Sequence, residues 1–278
     1  MANGSVNMVL VLGSNGKTGS RIVERLRAAG KEVRLGSRSA TPRFDWNDRT
    51  TWPAILDGIG AAYVAYQPDL CVPGAVDSVA AFYDAAAKAG VRKIVLLSGR
   101  GEPEAEQAEK ALQGTSLDWT IIRASWFFQN FSENYFLDEI RAGSMTLPDG
   151  LAAEPFVDVE DIAEIAVLAL TGNRHNRQLY EVTGPEAITF ADAVALIGLA
   201  TGREIQFQTV PMSVYRQALL EAQLPGELVD LVTYLFTTVL DGRNTPLADG
   251  VQRALGRSPM KFSDYVERTA ATGVWEVK

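Results

Sequence analysis

Residues 8–30, MVLVLGSNGKTGSRIVERLRAAG, limit what this chain can fold into more than any other stretch. The run Met8 to Leu12 is apolar and short, the pattern of a strand buried on both faces. A tight loop follows, with glycines at Gly13, Gly16 and Gly19. Ile22, Val23, Leu26 and Ala29 then recur at helical spacing, and Gly30 closes the helix. Strand, glycine loop and helix in that order make a cradle for an anionic phosphate. The first helical turn carries unpaired N–H groups and a partial positive charge, and glycine lets a ligand approach the backbone. The same pattern also serves as a purely structural strand-to-helix turn. Gly16-Lys17-Thr18 suggests a nucleotide-triphosphatase loop, but that motif needs a glycine where this chain has Val11.

Downstream, strand and helix patterns alternate. Glu32 to Leu35 reads as a second strand, ending in Gly36-Ser37-Arg38. In dinucleotide-binding folds this strand end meets the adenosine ribose. A carboxylate there favours NAD, whereas an Arg pairs with the 2′-phosphate of NADP. The carboxylate is missing and Arg38 is present, which favours NADPH and leaves NADH open; a solvated loop Arg is the plainer reading. Phe44-Asp45-Trp46 fits a short third strand, with Asp45 near the adenine edge, and Thr51 to Leu56 a short helix. Ala61 to Tyr66 reads as the fourth strand; Tyr66 and Gln67 at its carboxyl end are placed to line a cofactor, or Tyr66 to pack.

Residues 72–89 fit a long helix, Val91 to Ser98 the fifth strand, Glu102 to Gln113 a helix and Asp118 to Arg123 the sixth strand. That alternation predicts an α/β fold, a Rossmann-like doubly wound parallel sheet. The stretch Ala124 to Tyr135 is then dense in aromatics, including Trp126, Phe127, Phe128 and Phe131, which suit either a substrate wall or a core. Asp161 is placed to cap a helix over Ile162 to Leu170, and Gln178 to Thr183 reads as a seventh strand. Beyond it come a helix at Thr189 to Ala200, a strand at Ile205 to Val210, and helices at Ser213 to Ala222 and Glu227 to Leu240. These suggest a smaller, mainly helical carboxyl-terminal lobe. The expected division is 1–124 for the cofactor domain, completed by 151–182, and 183–278 for a substrate lobe, with 125–150 contributing to the cleft.

Composition removes several function classes. A formal charge of −8 argues against nucleic acid as partner. One cysteine, Cys71, and one histidine, His175, leave no intramolecular disulfide, no cysteine zinc cluster and no His-dependent triad, so no metal is expected. The absence of an 18-residue apolar run or a basic leader predicts a cytoplasmic chain with no membrane partner.

The chemistry of a reductase of this architecture often rests on Tyr-x-x-x-Lys, and no such pair exists here. Tyr83 and Lys88 are one residue too far apart, and the helix after the fifth strand offers Glu106, Glu109 and Lys110 instead. Ser98, at the carboxyl end of the fifth strand, either orients a carbonyl or is a plain strand-end serine. Three readings stay open. A hydride-transfer enzyme can rely on positioning, with quinoid or iminium acceptors that are already electrophilic. A cofactor sensor would bind without turnover. A sugar-nucleotide epimerase or dehydratase fits the glycines but lacks its Tyr and Lys.

The segments GSNGKTGSRI, RFDW, VRKIVLLS, DWTIIRASWFFQNF and PFVDVEDIA resemble the NmrA-like atypical short-chain dehydrogenase/reductases along nearly the whole chain. Within that family RFDW and R-x-x-W-F-x-x-N-F are similar to the ergot-alkaloid reductases, and quinone and triphenylmethane-dye reductases share the layout. The resemblance implies an NADPH loop of Gly13, Gly16 and Gly19, with Asn15, Lys17 and Thr18 near the phosphates. It further implies Arg38 at the ribose, Asp45 at the adenine and Ser98 at the nicotinamide. Trp126, Phe127 and Asn130 match the segment that closes over cofactor and substrate, and Phe128 lies within it. Ser98 and Trp126 are the candidate catalytic residues. Ala105 stands where the family often has a Lys, which puts a conventional proton relay in doubt. The expected activity is NADPH-dependent reduction of a small aromatic, quinoid or iminium-type acceptor; a cofactor-sensing regulator and a tailoring oxygenase on the same scaffold are the alternatives, and a homodimer is left open.

Overall fold

A computed structural model of the chain describes residues 8–133 and 136–277. Tyr135, named above among the aromatics, lies outside the described residues. The described residues form two compact units, each assembled from separate stretches. The first takes the described residues through Ala124, then Val159–Val182 and Asp249–Arg257; the second takes Ser125–Asp158, Thr183–Ala248 and the described residues from Ser258. The second stretch of the sheet unit therefore starts at 159 and not at 151, and 249–257 joins that unit as well.

In the first unit the strands are β1 (Met8–Leu12), β2 (Val33–Gly36), β3 (Ile59–Val64), β4 (Lys93–Gly99), β5 (Asp118–Ala124) and β7 (Gln178–Val182). They make a parallel sheet of order β2-β1-β3-β4-β5-β7. The chain steps from β1 out to β2, then crosses back to add β3 on the other side, which places the topological switch at β1 and β3. Both faces are covered. Leu10, Leu12, Val64, Ile94, Leu96 and Ile121 pack against one helical layer. That layer is α2 (Trp52–Leu56), α3 (Ala75–Lys88) and α4 (Pro103–Gln113). Helices α1 (Lys17–Ala28) and α6 (Val159–Thr171) pack together on the opposite face. Burial on two faces is why these strands read as continuous Val/Leu/Ile runs.

Two expectations are corrected. Phe44-Asp45-Trp46 is not a strand; its residues have no strand partner. Phe44 and Trp46 turn their rings down onto Phe82 of α3, at 5.8 and 5.4 Å between centroids, and Trp46 also meets Tyr66 at 4.8 Å. Aromatic packing of this kind outweighs the few ladder bonds that a three-residue edge strand would make. Helix α6 starts at Val159, so Asp161 sits inside the first turn and not at the cap, where its carboxylate pairs with Arg257 at 2.7 Å. The second unit is mainly helical, as expected, and carries one small sheet. It holds a parallel pair, β6 (Ser144–Pro148) and β8 (Gln206–Val210), of which only β8 has a counterpart in the sequence pattern.

That second unit carries α5 (Leu137–Ala142), α7 (Phe190–Thr201), α8 (Met212–Glu221), α9 (Gly226–Tyr234) and α11 (Phe262–Ala270), while α10 (Gly250–Leu255) lies in the first. Its core is aromatic: Phe128, Phe131, Phe136, Phe156, Phe190 and Phe262 are all buried. The Trp275 indole N–H donates to the Phe131 carbonyl at 2.8 Å, tying the carboxyl-terminal end into this core. Among the described residues no helix is long and apolar enough to cross a membrane.

Candidate functional site

The glycine loop shows why each glycine is there. Gly13 has φ +70°, a left-handed conformation that side chains avoid. Its carbonyl accepts the Gly16 N–H at 2.9 Å, which closes the turn. A Cβ on Gly19 would stand 2.1 Å from that same carbonyl oxygen, so α1 can approach the loop only with glycine there. Gly16 is the N-cap of α1 and offers no side-chain cap, the arrangement in which a helix end can receive an anion. Ser14 is 5% exposed, and its hydroxyl oxygen is buried with no hydrogen-bond partner in the structure. A buried hydroxyl without a partner is costly unless a ligand satisfies it. Sequence reasoning passed over Ser14, because one serine in a polar loop carries no periodic signal.

Other loop residues divide by role. Asn15 is exposed, and its amide reaches Ser39 Oγ at 3.5 Å, which brings the loop after β2 beside the loop after β1. Lys17 opens α1. Thr18 is turned into the protein and accepts the Tyr63 hydroxyl at 2.9 Å, so its oxygen supports the loop from β3 below. Gln67, after β3, reaches the loop too: its amide nitrogen lies 3.9 Å from where a Gly16 Cβ would be.

The strand end at β2 gathers cations and hydroxyls. Arg38 is exposed, flanked by Ser37 and Ser39, whose hydroxyls lie 3.3 Å apart. Asp45 accepts the Asn47 N–H at 3.1 Å and Arg43 at 2.5 Å. The Asn47 N–H first, then Arg43 and Arg38, hold the Asp45 carboxyl below its ordinary value against the opposing effect of burial. Both carboxylate oxygens are thus committed to the local turn. Ser37 and Ser39 flank Arg38 in the chain, and Arg38 and Arg43 both act on the Asp45 carboxylate, a grouping that carries no periodic signal in the sequence.

At the carboxyl end of β4, Ser98 is buried and donates its hydroxyl hydrogen to Glu109 Oε1 at 2.6 Å. Ser98 and Arg123 are register partners on β4 and β5, so their side chains leave the sheet on one face, where α4 presents Glu109. Arg123 grips Glu109 with two nitrogens, Nε at 2.9 Å and a terminal nitrogen at 2.5 Å. The Glu109 contact raises the Arg123 guanidinium above its ordinary value. Tyr83, half of the nearest approach to a Tyr-x-x-x-Lys pair, is fully buried in the core between sheet and helices.

In the second unit, the Trp126–Asn130 segment is pinned by two backbone bonds, Phe128 N–H to the Val157 carbonyl at 2.9 Å and Val157 N–H to the Trp126 carbonyl at 2.8 Å. The aromatic motif and PFVDVED therefore pair as one short bridge. Trp126 is half-buried, with its ring 5.5 Å from Phe236 and 6.1 Å from Phe190. Phe127 and Asn130 are also half-buried. Phe128 is 1% exposed and packs on Phe262 and Tyr265, which makes it core.

No family model matches the chain. Individual proteins do. It is 30% identical to the (4-alkanoyl-5-oxo-2,5-dihydrofuran-3-yl)methyl phosphate reductase of Streptomyces griseus, over 93% of this chain and 96% of that one. It is 29% identical to the NAD(P)H azoreductase of Xenophilus azovorans, over 95% of this chain and 98% of that protein. Among solved structures, the NADPH-dependent quinone oxidoreductase of Escherichia coli complexed with NADPH superposes with a TM-score of 0.76 at 18% identity, covering 94% and 99% of the two chains. The fold and the site define a Rossmann-type nucleotide-binding oxidoreductase scaffold. The chain belongs to the NmrA-like atypical short-chain dehydrogenase/reductases, a family of NAD(P)H-dependent reductases.

Proposed function

We propose that the protein is an NADPH-dependent reductase that passes hydride to a small aromatic, quinoid or iminium-type acceptor. The observation that carries this reading is the β1–α1 loop. Gly19 leaves no room for a side chain, Gly16 leaves the helix end uncapped, and the Ser14 hydroxyl is buried without a partner. Those residues fit a pyrophosphate. Arg38, with Ser37, Ser39 and Arg43 around it, supports the 2′-phosphate of NADPH over the bare ribose of NADH.

Bound NADPH supplies the hydride. The chain's own residues bind and orient it: Gly13, Asn15, Gly16 and Lys17 at the phosphates, Gln67 and Tyr66 along the crevice, and Ser98 at the reactive end. Trp126, Phe127 and Asn130 are assigned to the acceptor, since aromatic rings stack well on flat conjugated molecules. Phe128 supports that segment from the core. No tyrosine–lysine acid stands at β4, so the reaction relies on placing an electrophilic acceptor, with water supplying any proton it needs. The named activities of the relatives, on azo, quinone and unsaturated furanone compounds, all concern conjugated acceptors.

The test is turnover: NADPH oxidation followed against a panel of quinones, iminium ions and azo compounds. Turnover of a panel member together with tight NADPH binding supports the reductase. Tight binding with no turnover across the panel overturns it in favour of a cofactor sensor.

A further inference from the structure

The amino edge of the six-stranded sheet carries a cavity that nucleotide binding does not use. It has a volume of about 370 Å³, the lower end of the range for organic-ligand pockets. It lies between the starts of β1, β3, β4 and β5 and the carboxyl-terminal end of α6. The strands all run the same way, so this edge is the length of β4, about 20 Å, from Gly99. Ligands of open parallel sheets ordinarily sit at that other edge. Arg92 and Asn173 are exposed on the cavity wall, so the space communicates with solvent.

The polar groups on the wall suit an anion. Lys93, 7% exposed, donates from Nζ to the Ala169 carbonyl at 3.0 Å, to the Gly172 carbonyl and to Asn173 Oδ1 at 3.3 Å. These neutral acceptors use all three ammonium hydrogens and fix the charge in place without cancelling it. Among the described residues the wall has one carboxylate, Asp118, set against two cations, Arg92 and Lys93. Asp118 also accepts the Asn176 amide at 2.8 Å. Burial draws the Lys93 amine below its ordinary value, with Asp118 opposing, so a further negative charge nearby would be favourable.

Donors for that charge are present. Asn173 turns its oxygen to Lys93, which leaves both hydrogens of its N–H₂ group unspent. The Arg92 guanidinium makes no hydrogen bond or ion pair with any described residue. Val9, Ala61 and Leu170 add an apolar surface to the same cavity. We propose that this cavity is a second small-molecule site, which takes a small aliphatic carboxylate. Its head is held by Arg92 and the Asn173 amide beside the Lys93 charge, and its carbon body lies on Val9, Ala61 and Leu170. A planar guanidinium suits a planar carboxylate, and the apolar surface selects for an organic anion over an inorganic one.

Backbone amide shifts of the full chain, followed by nuclear magnetic resonance during titration with butyrate, inorganic phosphate or butylammonium, test the site apart from turnover. Butyrate is expected to shift Gly60, Arg92 and Asn173 saturably in the millimolar range. Phosphate lacks the carbon body and should bind there about tenfold more weakly. Butylammonium has the same body with the opposite charge and should not bind. Arg92→Ala, at an exposed side chain, should weaken butyrate about tenfold. Asn173→Asp keeps an oxygen for Lys93 and so keeps the fold, but it exchanges the amide hydrogens for a negative charge and should abolish binding. Either variant with wild-type affinity, butylammonium or phosphate binding as well as butyrate, or butyrate shifts confined to Gly13 and Gly16, overturns the inference. So does the absence of any saturable shift, and none of these results bears on nucleotide binding at the glycine loop.

Discussion

A Cβ on Gly19 would stand 2.1 Å from the carbonyl oxygen of Gly13, and the atom in the way is backbone. No rotamer change can relieve that contact; either the loop or the start of α1 must move. Gly19→Ala is therefore expected to destabilise the protein by about 1–3 kcal/mol. It should also weaken NADPH at least as much as the loop displacement requires, about tenfold or more. Thermal unfolding and a binding titration on the same preparation check both effects. Gly16→Val should likewise block both NADPH and NADH, since its Cβ would lie 3.2 Å from the Gly13 carbonyl and the branched methyls would fill the cradle.

Arg38 is exposed and lies close enough to lower the Asp45 carboxyl. Replacing it with alanine should cost NADPH about tenfold in affinity and leave NADH nearly unchanged, as expected for one charge-assisted contact to a phosphate. An unaltered NADPH-to-NADH ratio would remove Arg38 from the 2′-phosphate site and turn attention to Arg43.

The Arg123–Glu109 pair is a structural liability if either partner is lost alone. Glu109 is almost fully buried, whereas the Arg123 side chain is about one-fifth open. Arg123→Met strands a buried carboxylate and should destabilise by about 3–5 kcal/mol. Adding Glu109→Leu to that variant removes the stranded charge and should recover much of the loss. Urea midpoints for the two variants, compared with the wild type, decide the matter.

The chain's single histidine gives a pH signature. His175 is buried, with Nδ1 2.9 Å from the Tyr180 hydroxyl. Burial first, then the charges of Arg174 and Lys93, push its pKa below the ordinary 6.5. The unfolded chain therefore binds a proton near pH 6.5 that the folded protein takes only at lower pH. Stability from this group is full above that value and is lost as pH falls below it. Subtracting the unfolding free energy of His175→Asn from that of the wild type at each pH should give a difference that shrinks on acidification from pH 7. A constant difference would contradict the assignment.

Much of the sheet unit was legible because its signals are local. The β1 run, the glycines and the α1 periodicity are contiguous, and each strand buried on two faces announces itself as an apolar run. Phe44–Trp46 misled because aromatics at alternate positions suit a strand and a folded-down cluster equally, and only Phe82, far along the chain, decides between them. Strand β6 escaped because Ser144–Pro148 has polar residues and a proline, and its partner β8 is 62 residues away in register. The candidate site was legible as a glycine-spaced turn at Gly13, Gly16 and Gly19. It was not legible at Ser14, whose meaning is a missing partner, or at Ser98, whose hydrogen-bond polarity depends on Glu109 and Arg123 arriving from two other elements.

The first measurement to make is calorimetric titration of the purified protein with NADPH and, separately, NADH. Saturable binding of NADPH, with NADH weaker by about tenfold, is the predicted result. Absence of heat and of competition for either nucleotide would contradict the reading of the β1–α1 loop, and with it the assignment of this protein as an NADPH-dependent reductase.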